Sequence, residues 1–462
     1  MMPTTSSRTS PGTARISRTS PGTTQIFCAS TLYGAVTLAA AIDSDLFDEA
    51  ERRVLLVFNN TATPEISTPL DEMPGFAPLR DHFDEVLSWN EAIRPFHPGS
   101  WAPRPDDIPL FERYLRLLWD LGEDRVELVL ESIQVAPALT VAQIFTGAPV
   151  DVYADGLMSY GPTRNKLDPL VGTRVRRLLH LDLIAGLTPM LLTEFDVPPV
   201  VVPTSAFLKA MGEVTASVEE LPLVPDETAL LLGQYLSALD ILSPEEEEDL
   251  HVRMLKGAAA KGHRSLVFKP HPSAPARFSR ALEAEAERLS VELTVLDVPV
   301  LAEVLFEKAR PALVVGCFST ALFTASALYD LPAARIGTEL LLQRLTPYQN
   351  SNRVPVVLAD AVLPDLEGRH GEEALSVDTL NELIPALSYT LQPQIYPPLR
   401  PVAERYLSKH FGPRTRRYFR KKRLTALGLP GGIPGRLAFL PHNATARRVV
   451  RRARALKKSV KR

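Results

Sequence analysis

Two kinds of hydrophobic pattern alternate along this chain. Short apolar runs bounded by turn residues read as buried strands; stretches with apolar residues every three or four positions read as helices. "QIFCAST", residues 25–31, predicts a strand followed by the helix "YGAVTLAAAI". "RRVLLVFNN", "FDEVLSW", "RVELVLESI" and "APVDVYADG" predict further strands, and "LFERYLRLLWDLG" and "PALTVAQIFTG" predict helices. Another helix is expected from near Asn165, and residues 178–202 read as a helix plus a buried strand. Strands that alternate with helices predict a parallel sheet with helical crossovers.

The alternation restarts after Pro225. "ETALLLGQ", "SLVFKPHP", "ELTVLD", "PALVVGCFS" and "AARIG" predict five strands, and "PEEEEDLHVRMLKGAAAKG" predicts a helix with acids in its first turn. The pattern therefore predicts an α/β protein of two doubly wound parallel-sheet domains facing each other across a cleft. The first spans residues 25–205 and the second 226–410, joined by a linker over 206–225. In such domains ligands bind at the carboxyl ends of the strands.

Residues 7–16 nearly repeat as residues 17–26, and their Ser, Thr, Pro and Gly content predicts disorder up to residue 24. At the other end, residues 413–462 hold 17 Lys or Arg and no acid, so the net charge of -3 hides an acidic body and a basic tail, taken to begin at 411. Cys28 and Cys317 are too few for a disulfide framework or a thiolate metal site. They read as small buried residues in a reducing compartment. No signal peptide and no membrane-spanning run is read from the sequence.

Three stretches carry candidate chemistry. In "YADGLMSYGP", residues 153–162, Asp155 follows a strand, where a carboxylate can take a proton from an incoming hydroxyl. An Asp-Gly turn is the plainer alternative. In "LVFKPHPSAP", residues 266–275, Pro270 and Pro272 restrict the backbone around His271. An imidazole fixed at a strand end can hold or protonate a phosphate; the alternative is loop packing, and Lys269 reads as a solvated or structural charge. In "ALVVGCFSTALFTASAL", residues 312–328, Ser319 and Thr320 open a helix, a phosphate-compatible site and also an ordinary N-cap. Gln234, after the first strand of the second domain, is placed toward the cleft. One acid in the first domain and two phosphate-compatible loops in the second is how a two-domain glycosyltransferase divides acceptor from donor.

Over roughly residues 25–410 the chain resembles the bacterial alpha-2,8-polysialyltransferase family and the related lipooligosaccharide sialyltransferases. The matching motifs are Ala154-Asp155-Gly156, His271-Pro272 and Ser319-Thr320, with Pro299 and Glu303 in "VPVLAEVLF" matching a fourth. Ala154 departs from the family pattern, which has an acid there. The resemblance implies a GT-B-like fold and inverting transfer of sialic acid from CMP-sialic acid, with no metal and no cofactor. It further implies that Asp155 takes the acceptor proton, that His271 serves the leaving phosphate, and that Ser319 and Thr320 hold it. Glu303 would accept hydrogen bonds from the ribose hydroxyls, and Ser30 and Thr31, after the first strand of the chain, would touch the sugar.

Two other readings fit the residues. One is a glycerophosphotransferase that uses CDP-glycerol, the other a non-catalytic relative that binds nucleotide-sugar or partner surfaces. The expected partners are a CMP-sugar and a glycan or glycolipid acceptor. The basic tail interleaves Val449, Val450 and Leu456 among cations, as in a peripheral helix on an anionic membrane. A solvated tail and nucleic-acid binding are the alternatives, nucleic acid being the least favoured. The expected location is the cytoplasm, at the inner face of the membrane.

Overall fold

The computed structural model describes residues 21–154, 156–218, 221, 227–271, 277–368 and 373–433. Expectations that fall on Asp155, on Pro272, on residues 1–20 or on residues 434–462 lie outside the described residues.

The first sheet holds β1 (Thr23–Ala29), β2 (Arg52–Val57), β3 (Glu85–Ser88), β4 (Arg125–Glu131), β5 (Val150–Ala154), β6 (Val175–His180) and β7 (Pro199–Val201). Their order is β3-β2-β1-β4-β5-β6-β7, and every pair is parallel. Alternate residues feed different layers, as the twofold repeat of a strand requires. Ile26, Cys28, Leu128, Leu130 and Val152 pack into a core confined to this domain. Phe27, Ala29, Val129 and Tyr153, on the opposite face, join a larger core that continues into the second domain.

The second sheet holds β8 (Ala229–Leu232), β9 (Ser265–Lys269), β10 (Glu292–Val295), β11 (Leu313–Gly316) and β12 (Ala333–Arg335), in the order β10-β9-β8-β11-β12. It too is parallel throughout. In both sheets the order reverses beside the first strand, which is where a doubly wound sheet opens a crevice for ligands. Two parallel α/β units arranged this way give the GT-B-like layout expected from the sequence.

The structure departs from the expected elements in four places. Only a short helix, Pro169–Gly172, follows Asn165, and the strands β6 and β7 complete the sheet. Strand β1 begins at Thr23, inside the second copy of the N-terminal repeat, and Thr24 is buried. The segment expected as a linker contains most of a 14-residue helix, Thr204–Ser217. Phe207, Met211 and Val214 on that helix are fully buried, and it packs against both the helix Leu32–Asp43 and the helix Ala302–Ala309. The connection is therefore a shared wall between the domains.

The fourth departure concerns the basic tail. Tyr418 and Leu424 are fully buried, and Lys421–Leu427 is helical. Asp360 anchors this segment by accepting from the Tyr418 hydroxyl at 2.8 Å and pairing with Arg417 at 2.7 Å. Arg423 donates to the Thr390 carbonyl at 2.7 Å, near the end of the helix Val377–Leu391. A cation there meets unpaired helix carbonyls and the negative end of the dipole. Much of the charge in "RTRRYFRKKR" thus holds the C-terminal segment onto the body.

Candidate active site

The carboxyl edge of the first sheet forms one wall. Ser30 sits just beyond β1, and its backbone N–H and hydroxyl both donate to the Glu131 carboxylate, at 2.9 and 2.7 Å. Thr31 caps the following helix by accepting from Gly34 N–H at 2.9 Å. Both residues expected to face the sugar are thus engaged in shaping this edge. Cys28 and Cys317 are buried free thiols, and burial pushes the pKa of each upward.

Ala154, the residue that departs from the family pattern, ends β5 at 1% exposure and packs into the first-domain core. Gly156 follows in extended backbone, φ -172°. No left-handed turn demands a glycine there; a close contact does. A Cβ built on Gly156 would lie 2.5 Å from Thr320 Oγ1 and 3.3 Å from its methyl carbon. The loop bearing the acidic motif therefore meets the helix start of the second domain.

The facing wall comes from the carboxyl edge of the second sheet. Ser319 caps the helix Thr320–Leu328, its hydroxyl accepting from Ala321 N–H at 3.3 Å. Gln234, just past β8, accepts the Phe318 N–H through its side-chain oxygen at 3.0 Å. That bond ties the loop after β8 to the loop that delivers Ser319. His271 lies two residues past β9, exposed, with its ring centroid 6.2 Å from that of Tyr235. Protein crowding around the imidazole, and then the Lys269 ammonium, hold its pKa below the ordinary histidine value; Glu247 pulls the other way.

Glu303 does not lie on the open surface of the cleft. It is 3% exposed in the first turn of the helix Ala302–Ala309. Burial raises its carboxyl pKa to about 7, against its own backbone N–H, the Thr324 hydroxyl and the Lys269 charge. Lys269 is half-buried, and burial lowers its pKa while Glu303 and Asp297 raise it. Thr324 is one turn beyond Thr320 and bonds its carbonyl at 3.1 Å. The Thr324 hydroxyl also lies 3.4 Å from the Tyr33 hydroxyl of the first domain. Glu303 therefore braces the helix start from beneath, rather than reaching out to a ribose in this conformation.

Several participants were not singled out in the sequence. Glu131 ends β4, three strands after β1 in the chain but adjacent to it in the sheet, so only the strand order reveals its place beside Ser30. Glu247 accepts from Leu236 N–H at 2.6 Å and from the Ser237 N–H and hydroxyl at 2.9 and 2.6 Å, fixing the loop after Gln234. Its signal was hidden in a run of four glutamates.

The family model for alpha-2,8-polysialyltransferase (POLYST) matches residues 25–338, more than half of the chain. No curated protein sequence matches it. Among solved structures, the GT-B domain of a sialyltransferase from Photobacterium damselae is similar at 11% identity and a TM-score of 0.38, covering 72% of this chain and 95% of that one. A UDP-glucosyltransferase from Polygonum tinctorium gives 11% identity and a TM-score of 0.41, covering 87% and 98%. MurG of Acinetobacter baumannii gives 11% and 0.39, covering 84% and 95%. With its motif loops meeting across the cleft and most of its length matched by the family model, this chain is a glycosyltransferase that belongs to the alpha-2,8-polysialyltransferase family.

Proposed function

We propose that the protein transfers sialic acid, or a related nonulosonic acid, from a CMP-activated donor to a cell-surface glycan or glycolipid acceptor, with inversion at the anomeric carbon. The observation that supports this best is the approach of Gly156 to Thr320. It sets the loop of the proposed base against the helix start proposed to hold the donor phosphate.

In this reading Asp155 takes the proton of the attacking acceptor hydroxyl as the new glycosidic bond forms. The bond from the anomeric carbon to the CMP phosphate oxygen breaks on the opposite face. Ser319, Thr320 and the N-terminus of their helix receive the developing phosphate charge. His271, neutral at neutral pH because its pKa is lowered, donates an N–H to a phosphate oxygen. The arriving anion also favours its protonation, so the same ring can pass a proton to the leaving group. Gln234 and Glu303 act through others, Gln234 by positioning Phe318 and Ser319, Glu303 by bracing Thr324. No step is routed through a metal or a cofactor.

Direct titration with CMP, CMP-sialic acid, CDP-glycerol and UDP-sugars tests the reading. CMP and CMP-sialic acid should bind at least tenfold more tightly than the others. Preference for CDP-glycerol would make the protein a glycerophosphotransferase, and no nucleotide binding at all would point to a non-catalytic relative. No helix among the described residues is long and apolar enough to cross a membrane. Any contact with a lipid surface is proposed to run through the basic residues beyond 433.

A further inference from the structure

The loop that carries the acidic motif continues to Arg164, whose surroundings are unusual for a cation. The side chain is half-buried, and burial lowers its pKa with no acid acting against it. Among the described residues it makes no ion pair. Its Nη1 makes only a long 3.4 Å hydrogen bond to the Ser351 hydroxyl. The backbone around it is firmly held, with Arg164 N–H donating to Gln134 Oε1 at 2.6 Å and Gln392 Nε2 donating to the Arg164 carbonyl at 2.8 Å.

Arg164 lines a narrow slot together with Ser132, Gln134, Gln349, Ser351 and Gln392. Ser132 directly follows β4, so the slot opens at the same carboxyl edge as the proposed base. Among the described residues no carboxylate lines it. Its far wall adds positive potential. The ten-residue helix Arg353–Val362 begins two positions after Ser351, with no side-chain cap on its N-terminus. A half-buried guanidinium facing hydroxyls, amides and a helix N-terminus has donors open to an anion, which would bind there by charge-assisted hydrogen bonds.

The slot's size narrows the choice of anion. Its volume of about 20 Å³ admits one water or one carboxylate oxygen, and excludes a sugar ring or a nucleotide. We propose that Arg164 recognises the carboxylate of a sialic-acid residue, which dips into this slot while its ring stays in the cleft. The inference rests on the nonulosonate reading above and adds to it the residue that selects acidic over neutral sugars. The carboxylate can belong to the donor or to the terminal unit of the acceptor.

Calorimetric titration of the full chain separates these sources and tests the role. The probes are CMP-sialic acid, a sialic-acid trimer, the carboxyl methyl ester of each, and CMP alone. For at least one pair the wild type should bind the acid about 10- to 100-fold more tightly than the ester, the range of a charge-assisted pair. Discrimination for CMP-sialic acid places the donor in the slot; discrimination for the trimer places the acceptor there. Arg164→Gln should erase the preference and leave CMP affinity unchanged, and Arg164→Lys should keep part of it. The proposal is overturned if the wild type prefers the acid in neither pair, a result that needs no variant to fold. A Gln variant with undiminished preference also overturns it. Failure of CMP to bind the wild type would count against the donor reading, while the ester comparison with the trimer still judges Arg164.

Discussion

Gly156 of the first domain and Thr320 of the second are in contact so close that a single methyl group on the glycine would sit 2.5 Å from the threonine hydroxyl oxygen. The Thr320 methyl carbon also lies 3.3 Å from that point, so the neighbour must shift to admit the added carbon. Gly156→Ala should therefore cost roughly 1–3 kcal/mol, the usual penalty of overpacking. Thr320→Ala in the same chain should recover much of that cost. Denaturant unfolding of the two single variants and the double variant checks the coupling. Additive effects would mean that the walls do not touch in solution.

Asp155→Asn keeps the shape of the side chain and removes its basicity. Transfer should fall about 100-fold or more while CMP still binds, the scale of general-base loss. Steady-state turnover together with CMP titration separates the outcomes. Turnover within a few-fold of wild type would mean that another group takes the proton.

The missing acid of the motif has a structural reading. Ala154 is buried in the first-domain core, so Ala154→Asp would place a carboxyl among apolar side chains. It should lose roughly 1–3 kcal/mol of stability, the cost of burying an unsatisfied polar group, and gain no activity. A more active variant would show that the position reaches the cleft.

Glu303 links the helix Thr320–Leu328 to pH. Its carboxyl, ordinarily near 4.5, holds its proton to about 7 in the fold, chiefly because it is buried. Between those values the folded state binds more protons than the unfolded state, so this group's contribution to stability falls as pH rises through that window. Glu303→Gln should be more stable than wild type by roughly 3 kcal/mol above pH 7, with the gain vanishing below about pH 4.5. His251 acts at acidic pH in the opposite direction. Packed between Phe268 and Phe278, it has its pKa lowered by burial from 6.5 to about 4. Stability is lost as pH falls through that window, and His251→Phe should flatten the loss. Thermal melts from pH 4 to pH 8 read both effects.

Membrane attachment is best tested by a cut that respects the fold. A deletion from residue 413 would remove the buried Tyr418 and Leu424 and destabilise the body. Removing residues 434–462, which hold 10 Lys or Arg and no acid, should spare transfer to a soluble acceptor. It should also release the protein from anionic vesicles, as should high salt. Full-length protein that ignores such vesicles at low salt would refute the attachment.

The strands were legible because each is a short apolar run closed by Gly, Ser, Asp or Pro, and β1, β4, β5, β8, β9 and β11 emerge where those runs stand. The strand β6 was not, because "VRRLLH" places two arginines in its middle, and they are there to pair with the buried Asp151 of β5 at 2.8 and 3.0 Å. Residues 206–225 read as a linker, although Phe207, Ala210, Met211 and Val214 carry the helical repeat of the helix Thr204–Ser217. Local motifs placed His271, Ser319 and Thr320 at strand ends. Glu131, Glu247 and Arg164 have no local signature: their meaning comes from partners 10 to 187 positions away.

The proposed donor is a CMP-activated nonulosonic acid. The most direct test is to incubate the protein with CMP-sialic acid and a sialic-acid oligomer and follow CMP release and oligomer length in the same sample. CMP should appear in step with lengthened oligomer, and His271→Ala should abolish both. CMP-sialic acid left intact beside an unchanged oligomer, with transfer seen instead from CDP-glycerol or a UDP-sugar, would contradict it.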